Sequence, residues 1–400
     1  MKFCMVTTFY PPFNFGGDGI FVYRLANELA RRGHRVDVIH CEDSYRLFQS
    51  SPGPEVFANH ADVRVHRLKS RARWLSPLLT QQTGSPALKN KKLRALLETS
   101  GYDVIHYHNM SLMGITALAY GDAIKLYTLH EHWLVCPMHV LWRFDREVCT
   151  RRTCFRCTLA GRRPPQLWRY TGLLERTLGH VDSFIAPSRF TRQKHLELGL
   201  DVPIAHIPHF LAAPAAPAAA TAQSGRPYFL FVGRLEKIKG VQNIIPVFRT
   251  RGDYDLLLAG DGTYENVLRA QAGDLPNVKF LGRVSQEELP ALYANAVAVI
   301  VPSICYEVFG IIVIEAFAMK TPVIVNNLGA LPEAVEDSGG GFVYNNGDEL
   351  ARAMDVVAND AELQNELGNK GYQAYQKYWT EDRHIERYLG LIDDLKRARS

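Results

Sequence analysis

Two positive and two negative side chains in the second half of the chain are spaced so that they could bind a phosphorylated ligand. Arg234 and Lys239 stand five residues apart in a loop that follows the apolar run 229–232. An arginine fork can bind two phosphate oxygens at once, and a lysine adds a compact positive charge. Glu307 and Glu315 stand eight residues apart. Because arginines and lysines in loops are also common as plain surface charges, the pair alone leaves both interpretations open.

Glu315 lies within a strongly apolar run, 311–319 (IIVIEAFAM). Burying a carboxylate costs free energy unless a partner compensates for the lost water. Glu315 is therefore a candidate for binding ligand hydroxyl groups, and the structural alternative is a buried salt bridge. If a helix begins at about Val308, its N–H groups and dipole would face the ligand, with Glu307 at its mouth and Glu315 two turns deeper.

The elements that must position these residues follow from the alternation of short apolar runs with helical stretches. Strands separated by helices favour a parallel sheet covered on both faces. The sequence therefore predicts an α/β protein with two doubly wound parallel sheets. The predicted strands cover 2–7, 35–40, 103–106, 125–130, 183–187 and 204–208 in the first half, and 228–232, 254–259, 278–281, 298–301, 322–325 and 341–344 in the second.

The stretch 211–226 is rich in proline, alanine and other small residues, which cannot supply a core and predict a linker. It separates an N-terminal domain, 1–210, from a C-terminal domain, 227–378. The last segment, 379–400, is predicted as a helix that crosses back to the N-terminal domain. Because ligands bind at the carboxyl ends of strands in such sheets, the site is expected in a cleft between the two domains.

Several stretches resemble glycosyltransferase family 4, a large retaining group with the GT-B fold of two Rossmann-like domains facing a cleft. The resemblance spans nearly the whole chain. In the first half it includes Gly16-Gly17 ahead of a helix and the stretches IHYHN and TLHEHW. In the second half it is carried by GRLEKIKG (233–240), LAGDG (258–262), FLGRVSQEEL (280–289) and PSICYEVFGIIVIEAFAMKTPVI (302–324).

The resemblance implies a hexosyltransferase whose C-terminal domain binds a nucleotide-diphosphate sugar, such as a UDP-sugar or a GDP-sugar. Arg234 and Lys239 would hold the diphosphate and stabilise it as the leaving group. Glu315 would bind the ribose hydroxyls. Uracil, guanine and adenine all remain open as the base. Further donor contacts are implied for Gly233, for Glu307 with the backbone of Val308, Phe309 and Gly310 at the sugar, and for the backbone around Arg283 and Val284 at the base.

In the N-terminal domain the resemblance implies that Gly16 and Gly17 approach the diphosphate and the acceptor closely. His130, just past a predicted strand, would lie near the transferred sugar. A lone histidine at a strand end is otherwise an ordinary polar residue. The sequence departs from the family pattern at Glu131 and at 18–20, both on the acceptor side, so the acceptor is the least defined part of the resemblance.

Members of this family are thought to retain the anomeric configuration by same-face transfer, with the leaving phosphate taking the proton of the acceptor. No side chain is therefore assigned as a general base. The run 253–255 (DYD) matches the metal-binding Asp-x-Asp of the other large glycosyltransferase fold, but it precedes an apolar strand and is interpreted as a turn. No cofactor or metal is predicted for catalysis.

Four cysteines lie within 22 positions of a segment that is predicted as an insertion in the N-terminal domain, the cysteine-rich segment 131–170. Their spacings of 12, 4 and 2 intervening residues would suit a structural zinc ion bound by thiolates. Free buried thiols, an iron–sulfur cluster and a redox role are the alternatives. His132 and His139 could replace a missing ligand. The four candidate ligands are Cys136, Cys149, Cys154 and Cys157.

The charge of the chain is unevenly distributed. Residues 1–205 contain 28 Lys and Arg against 17 Asp and Glu, whereas residues 206–400 contain 18 against 24. A basic first half favours an anionic partner such as a lipid-linked glycan acceptor or a membrane surface, and ordinary solvated surface charge is the alternative. No nucleic-acid motif is present, so nucleic acid is not expected as a partner. With no signal peptide or long apolar run, we expect a cytoplasmic protein, peripheral at most on the inner face of the membrane.

Two other classes of function are compatible with this sequence. The first is a nucleotide-sugar epimerase or hydrolase on the same fold. The second is a non-catalytic, metal-stabilised binding protein that uses the basic cysteine-rich segment. A scaffold without catalysis has no need for Arg234, Lys239 and both glutamates together, which favours a transferase in polysaccharide, lipid-linked oligosaccharide or other glycoconjugate synthesis.

Overall fold

The computed structural model describes residues 1–49, 51, 57–212 and 225–399 of the 400-residue chain. Residues 213–224 of the predicted linker lie outside the described residues. The described chain forms two compact units. The first unit comprises Met1–Pro187, Thr191–Ile207 and the residues from Ile385 onward, and the second comprises Ser188–Phe190 and Pro208–His384.

The strands of the first unit are short and mostly apolar. They are β1 (Lys2–Val6), β2 (Arg35–Cys41), β3 (Val63–Leu68), β4 (Val104–Tyr107), β5 (Ile124–Thr128), β6 (Trp142–Arg143), β7 (Glu147–Val148), β8 (Ser183–Ala186) and β9 (Ile204–His206). Seven of them form one parallel sheet in the order β3-β2-β1-β4-β5-β8-β9, while β6 and β7 form a small antiparallel pair. The switch of direction after β1 places the loops that follow β1 and β4 side by side, where doubly wound sheets bind ligands.

Strand β3 was not predicted from the sequence. It pairs in parallel with β2, with Val63 opposite Val36, and it forms one edge of the sheet. Its sequence, VRVHRL, places charged or polar residues at three of six positions, and only Val63 and Leu68 are buried. An edge strand can carry such residues because solvent covers part of it.

The helices of the first unit pack on this sheet. Helix α1 (Gly17–Arg31) packs an apolar face of Phe21, Val22, Leu25 and Leu29 against the core. No helix of the described chain combines the length and the apolar character needed to cross a bilayer. The helices are α1 (Gly17–Arg31), α2 (Glu42–Arg46), α3 (Leu75–Thr83), α4 (Asn90–Thr99), α5 (Cys154–Ala160), α6 (Leu173–Leu178) and α7 (Arg189–Glu197), with 3-10 turns at Ala87–Lys89, Ile115–Ala119 and Leu167–Tyr170.

The second unit contains a six-stranded parallel sheet. Its strands are β10 (Tyr228–Val232), β11 (Asp255–Ala259), β12 (Val278–Gly282), β13 (Ala298–Val301), β14 (Val323–Asn326) and β15 (Gly341–Tyr344), in the order β12-β11-β10-β13-β14-β15. All six predicted strands of the second half are confirmed, with bounds that shift by one residue at most. Long apolar runs such as 228–232 (YFLFV) are typical of strands buried on both faces.

Helices cover both faces of this second sheet. Alternate residues of the strands enter opposite clusters, since Leu257 belongs to one core and Leu256 and Leu258 to the other. The helices of this unit are α8 (Val241–Ile244), α9 (Glu265–Ala272), α10 (Leu289–Ala294), α11 (Ile311–Ala318), α12 (Leu331–Ser338), α13 (Gly347–Asn359) and α14 (Ala361–Tyr378), with 3-10 turns at Lys237–Lys239 and Ile245–Thr250. The last helix of the chain, α15 (Glu381–Arg399), begins in this unit.

The C-terminal part of α15 belongs to the first unit. Tyr388 and Ile392 are fully buried there. The Tyr388 hydroxyl lies 3.0 Å from Nδ1 of His106, a residue of β4. This contact ties the last helix of the chain to the central strands of the first sheet.

Candidate active site

Lys239 is held in place by two loops that meet at the carboxyl ends of β10 and β13. A Cβ atom on Gly240 would lie 1.9 Å from the carbonyl oxygen of Pro302, so only glycine permits this approach. The backbone N–H of Ile304 donates to the carbonyl of Ile238 over 2.9 Å. The loop after β10 is therefore fastened to the loop after β13, with Lys239 between the two joined points.

Lys239 and Glu307 form an ion pair in which Nζ lies 2.6 Å from Oε1. The side chains are 24% and 20% exposed, so water screens the pair only in part. Burial alone would lower the pKa of Lys239, but the Glu307 carboxylate outweighs that effect and raises it. Burial likewise tends to raise the pKa of Glu307, whereas the charge of Lys239 holds it below its ordinary value. Both groups are therefore charged at neutral pH.

Glu307 is also fixed by bonds that do not involve the lysine. The Ser303 hydroxyl donates to the same Oε1 atom over 2.7 Å. The backbone N–H of Ala330 donates to the Glu307 carbonyl over 3.1 Å, and Asn326, the last residue of β14, donates from Nδ2 to the Ser303 carbonyl over 2.9 Å. The carboxylate is thus preorganised by β14 and the loop that follows it. Ser303 is a further residue of this site that was not predicted from the sequence, although it lies in the stretch 302–324.

Arg234 and Gly233 lie in the same loop as Lys239. The Arg234 side chain is 62% exposed, and its Nη1 atom is 3.7 Å from Oε1 of Glu236. Its charge also helps to lower the pKa of Glu307, after the larger effects of Lys239 and Ser303. Gly233 donates its N–H to the carbonyl of Ala259 over 3.0 Å, which ties this loop to the end of β11. The structure therefore brings Arg234, Lys239 and Glu307 together.

The predicted start of the helix at about Val308 is wrong. Helix α11 begins at Ile311, after Gly310, whose φ of 80° is incompatible with a right-handed helix. Phe309 packs against His209 with ring centroids 5.2 Å apart, and the Val308 carbonyl accepts a 2.7 Å bond from the Ser188 hydroxyl. Val308 to Gly310 consequently form an ordered loop ahead of the helix.

Glu315 lies one turn inside α11, not two turns as the sequence analysis expected. Its Oε2 atom accepts a 2.8 Å hydrogen bond from the Tyr293 hydroxyl, and the carboxylate is half-buried. Burial, and then the charge of Glu315, raise the pKa of Tyr293 well above its ordinary value, so the phenol remains a donor. Tyr293 was not predicted from the sequence, because it lies 22 positions from Glu315 on a different helix.

The remaining donor-side residues follow β12. Arg283 is exposed and Val284 is half-buried, directly after the last strand residue, Gly282. The Gly282 carbonyl accepts a 2.7 Å bond from the N–H of Gly260, so this loop is also joined to its neighbour. All of the residues predicted to contact the donor in the second half therefore lie in the second unit, on α11 or on loops at the carboxyl ends of its strands.

The Asp-x-Asp run at 253–255 is only partly a turn. Asp253 lies in a turn, whereas Asp255 is the first residue of β11 and is buried. The Asp255 carboxylate accepts a hydrogen bond from Nζ of Lys279, a residue of β12. The Asp255 carboxylate is thus bound by a lysine of the neighbouring strand β12.

Gly16 and Gly17 lie at the N-terminus of α1 in the first unit. Gly16 has extended backbone at the N-cap, without a side-chain cap, and Gly17 is the first helical residue. A Cβ atom would meet nothing within 4 Å at Gly17 and only the Asp18 carboxylate, at 3.9 Å, at Gly16. Neither the backbone nor the packing of the described chain requires glycine here. The two glycines are exposed and place no side chain over this helix end, where the backbone N–H groups of Asp18 and Gly19 bond to the Asp18 carboxylate.

His130 follows β5 and is bound by a second histidine. Its Nε2 atom lies 2.9 Å from Nδ1 of His108, and Nε2 of His108 lies 3.5 Å from the sulfur of Met5. Because a thioether sulfur accepts but cannot donate, the Met5 contact favours the tautomer of His108 that carries its proton on Nε2 and accepts on Nδ1. In that tautomer of His108, the bond between the two rings is donated by Nε2 of His130. His108 was not predicted as a site residue, although the stretch IHYHN contains it.

Acidic residues surround the same end of the first sheet. Glu131 pairs with His139, with Oε2 2.8 Å from Nδ1, and Asp18 accepts a 3.0 Å bond from the Asn109 amide. Burial, and then the charge of Glu131, raise the pKa of Asp18 above its ordinary value. The positions at which the sequence departs from the family pattern are thus close enough to interact.

Replacement of Asp18 by asparagine is expected to increase the free energy of unfolding at neutral pH. Because the folded-state pKa is raised, ionisation of Asp18 disfavours folding. That cost is absent below the unfolded value of 3.8, grows as the pH rises towards the folded-state pKa, and is complete above it. Urea unfolding of wild type and Asp18→Asn across this range measures the effect. An equal stability difference at all pH values would contradict this assignment.

The four predicted metal ligands lie together in the first unit. Cys136, Cys149, Cys154 and Cys157 all line one small cavity, and none of them is in a disulfide. Burial raises the pKa of the Cys136 thiol to about 11. Within the described residues, no group of three or more His, Cys, Asp and Glu side chains is already arranged to hold a metal ion.

Two family models match consecutive parts of the chain. "Glycosyltransferase Family 4" matches residues 15–212, and "Glycosyl transferases group 1" matches residues 214–374. The chain belongs to the family 4 glycosyltransferases. An uncharacterized glycosyltransferase of Methanocaldococcus jannaschii is 29% identical to it. The alignment is 403 positions long, gaps included, and covers 94% of each chain. The match thus extends over nearly the whole length of that relative.

Solved structures similar to this glycosyltransferase share its fold. Sucrose-phosphate synthase from Thermosynechococcus elongatus has a TM-score of 0.77 at 21% identity and covers 99% of each chain. The Anabaena protein HepE in complex with UDP-glucose has a TM-score of 0.68 at 17% identity and covers 98% of this chain and 99% of its own. The predicted GT-B fold of the glycosyltransferase is confirmed.

Proposed function

We propose that this glycosyltransferase transfers a sugar from a nucleoside diphosphate to an acceptor hydroxyl with retention of the anomeric configuration. The bond between the anomeric carbon and the diphosphate breaks, and the acceptor oxygen bonds to the same face of that carbon. The acceptor proton passes to the leaving phosphate, so no side chain needs to act as a base. The task of the protein is then to hold the donor and to stabilise the departing diphosphate.

The observation that carries this proposal is the Lys239–Glu307 pair with Arg234 beside it. A departing diphosphate gains negative charge, and Lys239 and Arg234 supply positive charge at the carboxyl ends of the strands. Glu307 keeps Lys239 protonated and fixed, because the carboxylate raises the pKa of the lysine. Arg234 is mostly exposed, which leaves its guanidinium accessible to two phosphate oxygens.

The other residues of the second unit complete a donor site. Glu315 would accept hydrogen bonds from the ribose hydroxyls. The backbone after β12, at Arg283 and Val284, would contact the base. Glu307 and the loop from Val308 to Gly310 would contact the sugar. The complex of HepE with UDP-glucose, a structural neighbour of this chain, supports a nucleotide sugar as the donor.

In the first unit, Gly16 and Gly17 would let a diphosphate or acceptor oxygen approach the N-terminus of α1, and His130 would lie near the transferred sugar. Catalysis would need no metal, because Arg234 and Lys239 supply the charge. The Asp-x-Asp carboxylate Asp255 is instead bound to Lys279.

The acceptor would be an anionic or lipid-linked glycan met at a membrane surface, on the cytoplasmic side. The charge of residues 1–205 supports an anionic partner. Large apolar side chains are also exposed in this unit, with Trp74 67%, Leu167 61% and Tyr170 62% exposed. Aromatic and apolar side chains next to arginines are typical of surfaces that bind anionic lipid headgroups.

A panel of nucleotide sugars tests the donor half of the proposal. The protein is incubated with UDP-, GDP- and ADP-sugars, with and without glycan acceptors, and nucleotide, free sugar and product are quantified. We expect one base to be preferred and product to form only with an acceptor. Glu315→Gln should weaken nucleoside diphosphate binding by about 10-fold, the scale of a hydrogen bond to a charged group. Epimerised donor or free sugar as the main product would instead favour an epimerase or a hydrolase.

The acceptor half is tested in the same assay with two presentations of the acceptor. Acceptors embedded in vesicles that contain anionic phosphatidylglycerol should react faster than the same acceptors in neutral vesicles. Added salt should remove the difference, because exposed charges are screened within about 10 Å at 0.1 M ionic strength. Equal rates with both kinds of vesicle would contradict the anionic-surface part of the proposal and leave the donor part intact.

A further inference from the structure

The cavity lined by the four cysteines brings together three separate parts of the cysteine-rich segment. Cys136 comes from the turn after His130, Cys149 follows β7, and Cys154 and Cys157 lie on α5. The other cysteines of the chain, Cys4, Cys41 and Cys305, are buried elsewhere and do not line it. Side chains separated by up to 20 residues thus converge on one small space, which the donor and acceptor sites do not use.

Backbone N–H groups donate to the sulfur atoms of Cys157 and Cys136, whereas the Cys149 thiol donates to the Arg151 carbonyl over 3.3 Å. The backbone N–H of Phe144 donates to Sγ of Cys157 over 3.5 Å. Backbone N–H groups of Leu141 and Met138 bond to the sulfur of Cys136. Hydrogen bonds from the surrounding protein to the ligand atoms are typical of metal sites.

Two further polar groups beside the cavity have no hydrogen-bond partner among the described residues. They are Nε1 of Trp142 and the hydroxyl of Thr153, and both residues line the cavity. An indole N–H can only donate, so it needs an acceptor, and buried donors without one are rare. Thiolate sulfurs gathered around a cation would offer that acceptor.

The backbone of the cysteine-rich segment contains several residues in unfavourable conformations, which the surrounding structure must hold in place. Seven non-glycine residues of the described chain have positive φ, and five of them lie in the cysteine-rich segment. Each such residue costs free energy and persists only where the surroundings fix it. Regular structure here is limited to two-residue strands and short helices. The five residues are His139, Leu141, Phe144, Asp145 and Arg162.

We propose that Cys136, Cys149, Cys154 and Cys157 bind one thiophilic divalent cation of the zinc class as a structural site. Four sulfur ligands suit the tetrahedral coordination of zinc, whereas magnesium and calcium require oxygen ligands. Each thiol releases its proton to solvent when it binds. The side chains turn towards the cavity to do so, because no group of described residues is arranged for a metal as it stands.

Four thiolates around one dication carry a net negative charge, and nearby arginines offset it. Arg143 lines the cavity, and the charge of Arg169 interacts with Cys136 and Cys154. Arg169 is itself held by the carbonyl groups of Trp133 and Leu134, at 2.8 and 3.1 Å. The positive charge that a buried tetrathiolate needs is therefore built into the fold.

The site would fix the segment that follows His130. The N–H of Cys136 donates to the carbonyl of His132 over 2.7 Å, and the N–H of His132 donates to the carbonyl of His139 over 3.0 Å. The same turn carries the Glu131–His139 pair. A metal bound at Cys136 thus orders this turn, whichever sugar the enzyme transfers.

Metal analysis of the full chain, purified under reducing conditions with zinc supplied, tests this proposal. We expect about one zinc ion per chain. Cobalt substitution should give the intense visible bands of tetrahedral thiolate cobalt. Cys149→Ser and Cys154→Ser should lower the zinc content by about 10-fold or more, while the buried control Cys41→Ala should keep it. A chelator should lower the Tm of the wild type, and zinc but not magnesium should restore it.

The wild-type protein gives the decisive measurements. Its metal content and its cobalt spectrum test the proposal even if a serine variant fails to fold. Wild-type protein with less than about a tenth of a zinc ion per chain, and without the cobalt bands, would overturn the proposal. So would a mass that shows disulfides under reducing conditions, or bound iron with acid-labile sulfide.

Discussion

Replacement of Lys239 by alanine is expected to lower kcat by about 100- to 1,000-fold, the usual effect of removing one preorganised group that stabilises developing negative charge. The lysine is 2.6 Å from Glu307 and is fixed by the joined loops after β10 and β13. Its charge should matter most when the diphosphate departs, so KM should change much less than kcat. Steady-state kinetics with the preferred donor measures both constants.

Lys237→Ala is the matched control, because Lys237 lies on the same 3-10 turn and carries the same charge. Its kcat should stay within about 3-fold of wild type, as expected for a substitution away from the reacting centre. Lys239→Ala also leaves the Glu307 carboxylate without its main partner, so folding must be verified by thermal unfolding. Lys239→Ala combined with Glu307→Gln should recover stability but not kcat. Equal kcat for the two lysine variants would contradict the role of Lys239.

Replacement of His130 by alanine is expected to lower kcat by about 100-fold, on the scale of a positioned polar group at a reacting centre. His108→Phe should lower it by about 5- to 10-fold. The phenylalanine keeps the aromatic volume but cannot accept the 2.9 Å bond from His130, and one ordinary hydrogen bond contributes about 1 kcal/mol. Kinetics across pH and nitrogen-detected NMR of the histidine tautomers give the measurements.

His108→Asn separates a positioning role from simple packing. Its amide oxygen can accept at the place of Nδ1, so it should retain more activity than His108→Phe and keep the proton of His130 on Nε2. The exposed His180 offers a control, and His180→Asn should behave as wild type. If both variants of His108 lose activity equally and leave the pH profile unchanged, His108 only packs the core.

Much of the scaffold could be predicted from the sequence because its strands are buried on both faces. Runs such as 228–232 and 298–301 contain no polar residue, so only one type of element accounts for them. Strand β3 escaped prediction because it alternates valine with arginine and histidine at a sheet edge. The start of α11 was misplaced because glycine is compatible with a helix and with the positive φ that Gly310 adopts.

The pairings within the site could not be predicted from local patterns. Lys239 and Glu307 are 68 positions apart, and their contact depends on the close approach of Gly240 to Pro302. His108 meets His130 across 22 positions because β4 and β5 are neighbours in the sheet. The sequence identified the types of residue that the site needs, whereas the parallel register of the strands determines which of them meet.

A crystal structure of the enzyme with the nucleoside diphosphate that the donor panel selects tests the central claim most directly. We predict diphosphate oxygens within hydrogen-bond distance of Lys239 Nζ and the Arg234 guanidinium, with the ribose hydroxyls at Glu315. The Lys239–Glu307 pair should remain in place. A nucleotide bound away from these three side chains would contradict the assignment of the donor site.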